Sequence, residues 1–420
     1  MNNYTTETYQ MKRKILNFAD KISVGMCKPT QKFAQDMIYG ISKNKSVYLT
    51  DVARSLKESI KLNNTVDRLV TNLMNLGGEK LDAMKQNYYD EVLKFLPNDT
   101  VIVLNDDSDL NKEYSKKLED LDIVRDASCQ IERHVPGYKV CEYVALTENE
   151  KSPISLYSKI YSTKSEGFES ENTETIDGED EVIKILNGRT LVFVRDRGYD
   201  SSVFFKKDIL EDNKFVTRLK GNRNVIFNGQ TINVKKLAEK RKGLIKTKLI
   251  YKGENKPCKI SYMKVELPFI KGKTVTLVCI YGLNEEEPMM LLTNLEVNNK
   301  DDALHVARLY FLRWRVEEYF KAKKQNYNWE NSLVRTLESM NNLNFFLTCV
   351  MAFMSIMIEI KKDSKLSKLI LERAQSLKEK AIIYLGMMSD GIFEILKFAR
   401  TGISEWRPKK VENKQLSLNL

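Results

Sequence analysis

The spacing of apolar residues changes character along the chain. Up to about residue 95 it recurs every three or four positions, as short helices do. DVARSLKESI follows Thr50 and VDRLVTNLMNL follows Asn64 and Thr65, which are N-cap candidates, and Gly77-Gly78 then stops the second segment. Continuous apolar runs replace this period at VIVL (101–104) and RTLVFV (189–194), the mark of strands buried on both faces. GYKVCEYVALT (137–147) and SPISLYSKIYS (153–163) add two strands, and an acidic loop (165–180) leads into a short helix. YDSSVFFKKDILEDN reads as a helix and KFVTRLKG as the next strand. Residues 222 to 295 are strand-like throughout, with a hairpin signal at Asn228-Gly229. Residues 333–400 again read as helical, and the polar tail RPKKVENKQLSLNL reads as loosely ordered.

Strands followed by alternating strand and helix predict a mixed α/β sheet covered by helices. The expected domains are a helical N-terminal DNA-binding region (1–95), the first part of the core (96–221), a β-rich insertion (222–295), the rest of the core (296–340), and a helical C-terminal region (341–420) suited to dimerisation. Two short helices joined by a polar turn in the first region fit either a helix-turn-helix or a small bundle.

Charge sharpens this picture. The 420 residues carry a net charge of +11, but Lys214–Lys273 alone holds 17 Lys/Arg against three acids. Basicity this local fits a surface that meets a polyanion. Six cysteines (Cys27, Cys129, Cys141, Cys258, Cys279, Cys349) show no CxxC spacing, so neither a zinc site nor a disulfide framework is indicated, and a reducing cytoplasm fits. The apolar run Phe345–Ile358 is too short for a bilayer and reads as a buried helix, so no membrane partner is expected. His134 and His305 stand far apart and read as structural or surface residues.

Both fully apolar strands deliver an aspartate at the C-terminal end: Asp106 after VIVLN and Asp196 after VFVR. Asp106, Asp107 and Asp109 crowd one turn, so the choice of Asp106 rests on register with the buried strand, and a slip of one residue would move it. Strand ends of an open sheet hold side chains rigidly yet reach solvent. A third carboxylate lies in YFLRWRVEEYFKAKK (310–324). At about 100° per residue, Tyr310, Arg313, Glu317 and Lys324 fall within roughly 60° on one helix face. Taken alone, Glu317 between two cations is a solvated ion-pair ladder. Joined to two aspartates it completes a three-carboxylate cluster, whose repulsion two Mg²⁺ ions would offset while activating water or a 3′-hydroxyl for attack on a phosphodiester.

The Y-x2-R-x3-E-x6-K spacing of Tyr310, Arg313, Glu317 and Lys324 resembles the signature of bacterial insertion-sequence DDE transposases of the YREK group. NDDSD and RDRGYD resemble that family's two aspartate motifs, and the β-rich block before the glutamate matches its insertion. The resemblance covers residues 95 to 340. It implies an RNase H-like mixed sheet with helices on both faces, interrupted by the β-rich insertion and flanked by helical N- and C-terminal regions. It also implies two Mg²⁺ ions (Mn²⁺ substituting) on Asp106, Asp196 and Glu317, and double-stranded DNA held by Tyr310, Arg313 and Lys324. Arg197, beside the second aspartate, is a further candidate DNA contact. Binding to terminal inverted repeats, cut-and-paste strand transfer and a homodimer on DNA follow from the same resemblance. Relatives that cut through a DNA hairpin use a tryptophan in the insertion, whereas Trp314, Trp329 and Trp406 lie outside it, leaving Phe227, Tyr251, Tyr262, Phe269 and Tyr281 as stacking candidates. The competing expectations are an RNase H-like nuclease without strand transfer, a catalytically silent repressor, and an RNA-binding protein; three intact carboxylates speak against the last two.

Overall fold

The computed structural model describes residues 2–126, 133–251, 254–283, 287–374 and 384–403. Cys129, Trp406 and the tail from Arg407 lie outside them. Five helices come first: α1 (Asn2–Ile22), α2 (Lys28–Asn44), α3 (Leu49–Leu56), α4 (Leu62–Met74) and α5 (Glu79–Val92). Then follow β1 (Thr100–Asn111), β2 (Asp122–Arg125), β3 (His134–Leu146), β4 (Pro153–Tyr161), α6 (Glu171–Ile185), β5 (Thr190–Arg195), α7 (Ser202–Leu210) and β6 (Lys214–Arg218). The insertion contains β7 (Asn224–Phe227), β8 (Gln230–Asn233), α8 (Val234–Arg241), β9 (Ile245–Tyr251), β10 (Glu254–Leu267), β11 (Ile270–Tyr281) and β12 (Met289–Thr293). The chain returns through α9 (Lys300–Phe311), α10 (Trp314–Lys321) and a π-helical turn (Ala322–Asn326) to α11 (Leu337–Glu359), α12 (Lys365–Arg373) and α13 (Tyr384–Leu396).

The sheet has the expected RNase H-like core. Strands β4, β3 and β1 run antiparallel, and β1, β5 and β6 are parallel. The insertion is not a separate layer. Strand β12 pairs with β6, and β11 and β10 continue the same sheet outward. Successive residues of β3 face opposite sides of the sheet: Tyr143 donates to the carbonyl of Thr175 in α6, whereas Glu142 meets Lys323 in the π turn. Helix α6 therefore covers one face, and α10 with its π turn covers the other. Gly178 lets α6 lie close, because a Cβ there would meet the rings of Tyr157 and Tyr143 at 2.8 and 2.9 Å.

Several local expectations change. Helix α3 starts at Leu49 and α4 at Leu62, so Thr50, Asn64 and Thr65 lie inside helices; Thr65 is buried and donates to Glu58. The N-terminal helices are also not all short, since α1 has 21 residues and α2 has 17. Strand β2 adds a short partner on the outer edge of β3. The predicted hairpin forms, with Asn228 at φ 50° and Gly229 at φ 76°, both left-handed as a type I′ turn requires. Immediately after it, Asn233 caps α8 by accepting from the amides of Lys235 and Lys236, so VKKLAEKR is helical where a strand was expected.

Helix α11 is apolar around its circumference because it is buried around its circumference. Its Asn341 accepts from the amide of Ile160 and donates to that residue's carbonyl, 2.9 Å each, covering the edge of β4. Helices from both ends of the chain pack on it: Phe33 meets Phe346 edge-on at 5.2 Å and Phe18 meets Phe353 at 5.5 Å. By length and composition α11 could cross a bilayer, but 94% of its apolar window is inside the protein, as in a core helix.

Candidate active site

The register of the sheet brings the two aspartates together. Strands β1 and β5 are parallel partners up to Asn105 and Arg195, so the next residue on each is an aspartate, Asp106 beside Asp196. Strand β1 does not end at NDDSD as its polarity suggests. It runs on along β3 to Asn111, because β3 still offers hydrogen bonds where β5 has stopped. Asp106 is thus fixed in mid-strand at the point where the sheet opens. Alternation points Asp107 to the opposite face.

Asp196 caps the single turn Arg197–Tyr199, accepting from the amide of Arg197 at 2.6 Å. Its Oδ1 also accepts from the Tyr310 hydroxyl at 3.3 Å. Arg313 donates from Nη1 to Asp106 at 3.3 Å and from Nη2 to Glu317. Tyr310 thus connects directly to Asp196 and Arg313 to Asp106, while Glu317 joins Asp106 through Arg313. Lys324 sits further along β1, donating to the carbonyl of Asp109 at 2.6 Å and pairing with Glu330 at 3.1 Å. Arg197 is exposed beside Asp196.

These residues do not share one regular helix, which corrects the single-face reading. Helix α9 ends at Phe311, Leu312 and Arg313 form a tight turn with i to i+3 bonds, and α10 carries Glu317 in its first turn. Lys324 lies in the π turn. The two irregularities change the phase of the helix, and the signature spacing is met across three segments.

The electrostatics follow from this geometry. Burial raises the Asp106 carboxyl to about 7; Arg313 opposes the shift, and Asp107, Asp196 and Glu317 add to it. The Tyr310 hydroxyl is pushed up to about 12 by burial and by Asp196. Arg313 is held charged by Asp106, Tyr310, Glu317 and Asp196 despite its burial. Among the described residues no three His, Cys, Asp or Glu side chains are gathered tightly enough to hold one ion as they stand, since the Arg313 guanidinium lies between Asp106 and Glu317. The donors nevertheless suit a hard cation: all are carboxylate oxygens, and their mutual repulsion at Asp106 is what a divalent ion relieves. His134 and His305 are both exposed, on β3 and α9.

Asp106 carries a pH signature. In EDTA the folded protein retains a proton on Asp106 up to about pH 7, whereas the unfolded chain releases it near the ordinary carboxylate value of 3.8. The folded state therefore binds more protons between these values, and the contribution of Asp106 to stability falls as pH rises from about 4 to about 7. Thermal melts in EDTA at pH 5, 6 and 7 check this: the gap between Asp106→Asn and the parent is expected to widen in favour of the variant as pH rises.

Sequence reasoning missed two buried ion clusters. Arg195, the residue before Asp196, pairs with Glu179 of α6 and Asp208 of α7, all three fully buried. A charge at the end of an otherwise apolar strand was its signal. Glu142 and Lys323 form the second, at 2.8 Å. The candidate stacking aromatics of the insertion are engaged within the protein: Arg241 lies over Phe227 at 5.0 Å, Tyr251 meets Phe311 at 5.4 Å, and Arg223 lies over Phe269 at 5.6 Å. Tyr262 donates to the carbonyl of Asn298 and Tyr281 to that of Ala238.

No curated protein matches the chain. Residues 165–353 match the family model described as Transposase DDE domain, a span that runs from the loop before α6 into α11 and includes Asp196, Arg197, Tyr310, Arg313, Glu317 and Lys324. Residues 165–353, set on a sheet with an RNase H-like core, are thus similar to the DDE domain of transposases.

Proposed function

We propose that the protein is an active insertion-sequence transposase of the YREK group, which binds the terminal inverted repeats of its element and moves it by cut-and-paste. The observation that carries this reading is the register that makes Asp106 and Asp196 neighbours, with Arg313 linking Asp106 to Glu317. Asp106, Asp196 and Glu317 are the residues that would hold two Mg²⁺ ions, with Mn²⁺ as a substitute. When bound, the ions supply a lowered pKa for the attacking oxygen and charge stabilisation at the leaving oxygen.

The chain's own residues do the positioning. Arg313, Lys324, Tyr310 and Arg197 take phosphate oxygens of the DNA end, Arg313 by its bidentate fork and Tyr310 from its hydroxyl. In hydrolysis a water oxygen attacks phosphorus, the P–O3′ bond breaks, and O3′ leaves as the free hydroxyl once protonated. In strand transfer that 3′-hydroxyl attacks a target phosphodiester: a new O3′–P bond forms, the target P–O3′ bond breaks, and the proton passes to the departing oxygen. The basic stretch from Lys214 to Lys273 extends the DNA surface along the insertion. Residues 1–95 read the repeat, residues 341–420 contribute to a homodimer on DNA, and the protein works in the cytoplasm on nucleoid DNA, without a membrane.

The test is incubation of a labelled duplex carrying the element's terminal repeat with the protein, Mg²⁺ and a target plasmid. Cleavage at the repeat boundary with joined products is expected. Cleavage without joining indicates a nuclease, and binding without cleavage indicates a repressor.

A further inference from the structure

Glu142 stands directly opposite Asp106 in the β1–β3 ladder, so both carboxylates lie on the sheet face covered by α10 and the π turn. Nothing in the proposed chemistry uses Glu142. It is fully buried, accepts from the hydroxyls of Ser155 and Ser158, and pairs with Lys323 at 2.8 Å. Lys323 is equally buried, with its ammonium 4.6 Å from the ring centre of Trp329 and 5.1 Å from that of Tyr319. A lysine at this depth is unfavourable unless a carboxylate and aromatic faces receive it.

Its place in the chain gives the pair a purpose. Lys323 lies in the π turn, six residues after Glu317 and immediately before Lys324. A π turn inserts a residue into the helical ladder and is uncommon outside functional sites. Here it directs Lys323 inward to Glu142 and Lys324 toward the Asp109 carbonyl of β1. One end of the clamp is thus the strand residue paired with Asp106, and the other is the turn that follows Glu317.

We propose that Glu142 and Lys323 are positioning residues, which lock the end of α10 onto β3 and thereby set Glu317 and Lys324 against Asp106. The inference rests on the functional reading above. Second partners of this kind typically change metal affinity by about 10- to 100-fold when removed.

The test uses the double substitution Glu142→Gln with Lys323→Met in the full chain, which leaves no unpaired buried charge. Mn²⁺ binding is read by electron paramagnetic resonance on the DNA-free protein, alongside the thermal midpoint and duplex affinity in EDTA. The expected result is a folded protein with Mn²⁺ binding weakened about tenfold or more and weaker duplex binding through Lys324. Wild-type Mn²⁺ and duplex binding in the folded variant would overturn the proposal, leaving the pair as core packing. If the double variant does not fold, Lys323→Arg, which keeps the charge, is read the same way: weakened Mn²⁺ binding at an unchanged midpoint supports the clamp, and unchanged binding refutes it. Asp106→Asn and Glu317→Gln separate the two levels. If neither reduces Mn²⁺ binding the carboxylate reading itself fails, whereas if both do and the pair variants do not, only the clamp fails.

Discussion

Glu317→Ala is expected to leave the protein folded and bound to terminal-repeat DNA while strand cleavage falls by on the order of 10³-fold or more. Glu317 is partly exposed, at 34% of its side-chain surface, and its direct partner is Arg313, so its loss removes no buried contact on which the core depends. A ligand that stabilises developing charge through a divalent ion contributes several kcal/mol to the transition state, and each 1.36 kcal/mol is about tenfold in rate. Freed from Glu317, Arg313 keeps Asp106 and remains able to take a phosphate, so binding holds or tightens. The assay pairs a mobility shift with single-turnover cleavage in Mg²⁺. Parallel loss of binding and cleavage would mean that Glu317 acts through the fold. Equal cleavage by both proteins would return it to an ordinary i,i+4 ion pair.

How the site could be read in advance depends on which interactions build it. The two aspartates were legible because parallel strands buried on both faces carry continuous apolar runs, and such runs announce where they stop. The continuation of β1 past Asp106 was not legible, since NDDSD has poor strand propensity and is held only by pairing with β3, a long-range contact. The breaks in the glutamate helix are hidden for a related reason. Leu312, Arg313 and Ala322 to Lys324 are all adequate helix formers, so no glycine or proline marks either irregularity. What the π turn achieves, the meeting of Lys323 with Glu142, joins residues 181 apart in sequence. Helix α8 shows the opposite error: a single capping asparagine ended a strand pattern that β-propensity alone would have continued. The N-terminal helices began earlier than Thr50 and Asn64 suggested, with Tyr48 and Lys61 at the N-cap positions and no side-chain cap at either.

Arg195→Met carries the largest expected loss of stability. The guanidinium donates to Glu179 and to Asp208, and its carbon lies 4.7 Å from the Phe193 ring centre and 5.6 Å from that of Phe204. Arg195 thereby ties the end of β5 to α6 and α7, the two helices under the sheet, one residue before Asp196. Removing the cation strands two carboxylates in a dry interior, which costs about 3–5 kcal/mol in comparable buried pairs. The loss has a pH dependence with a definite sign. Burial already raises both carboxyls, and without the arginine they rise further, so the folded variant takes up protons that the unfolded chain does not. Stability of the variant therefore recovers as pH falls, and the gap to the parent narrows between about pH 7 and 5. Chemical denaturation at the two pH values measures it. The triple substitution Arg195→Met, Glu179→Leu and Asp208→Leu is expected to regain the parent's stability or exceed it by about 1–4 kcal/mol, as replacement of buried ion clusters by apolar packing often does. Cleavage by the triple variant then separates two roles of the cluster. If activity survives with stability, the triad only fills the space beneath β5. If stability returns without cleavage, the ion cluster fixes the strand end from which Asp196 projects, and the fold retains a buried charge for the sake of that aspartate's position.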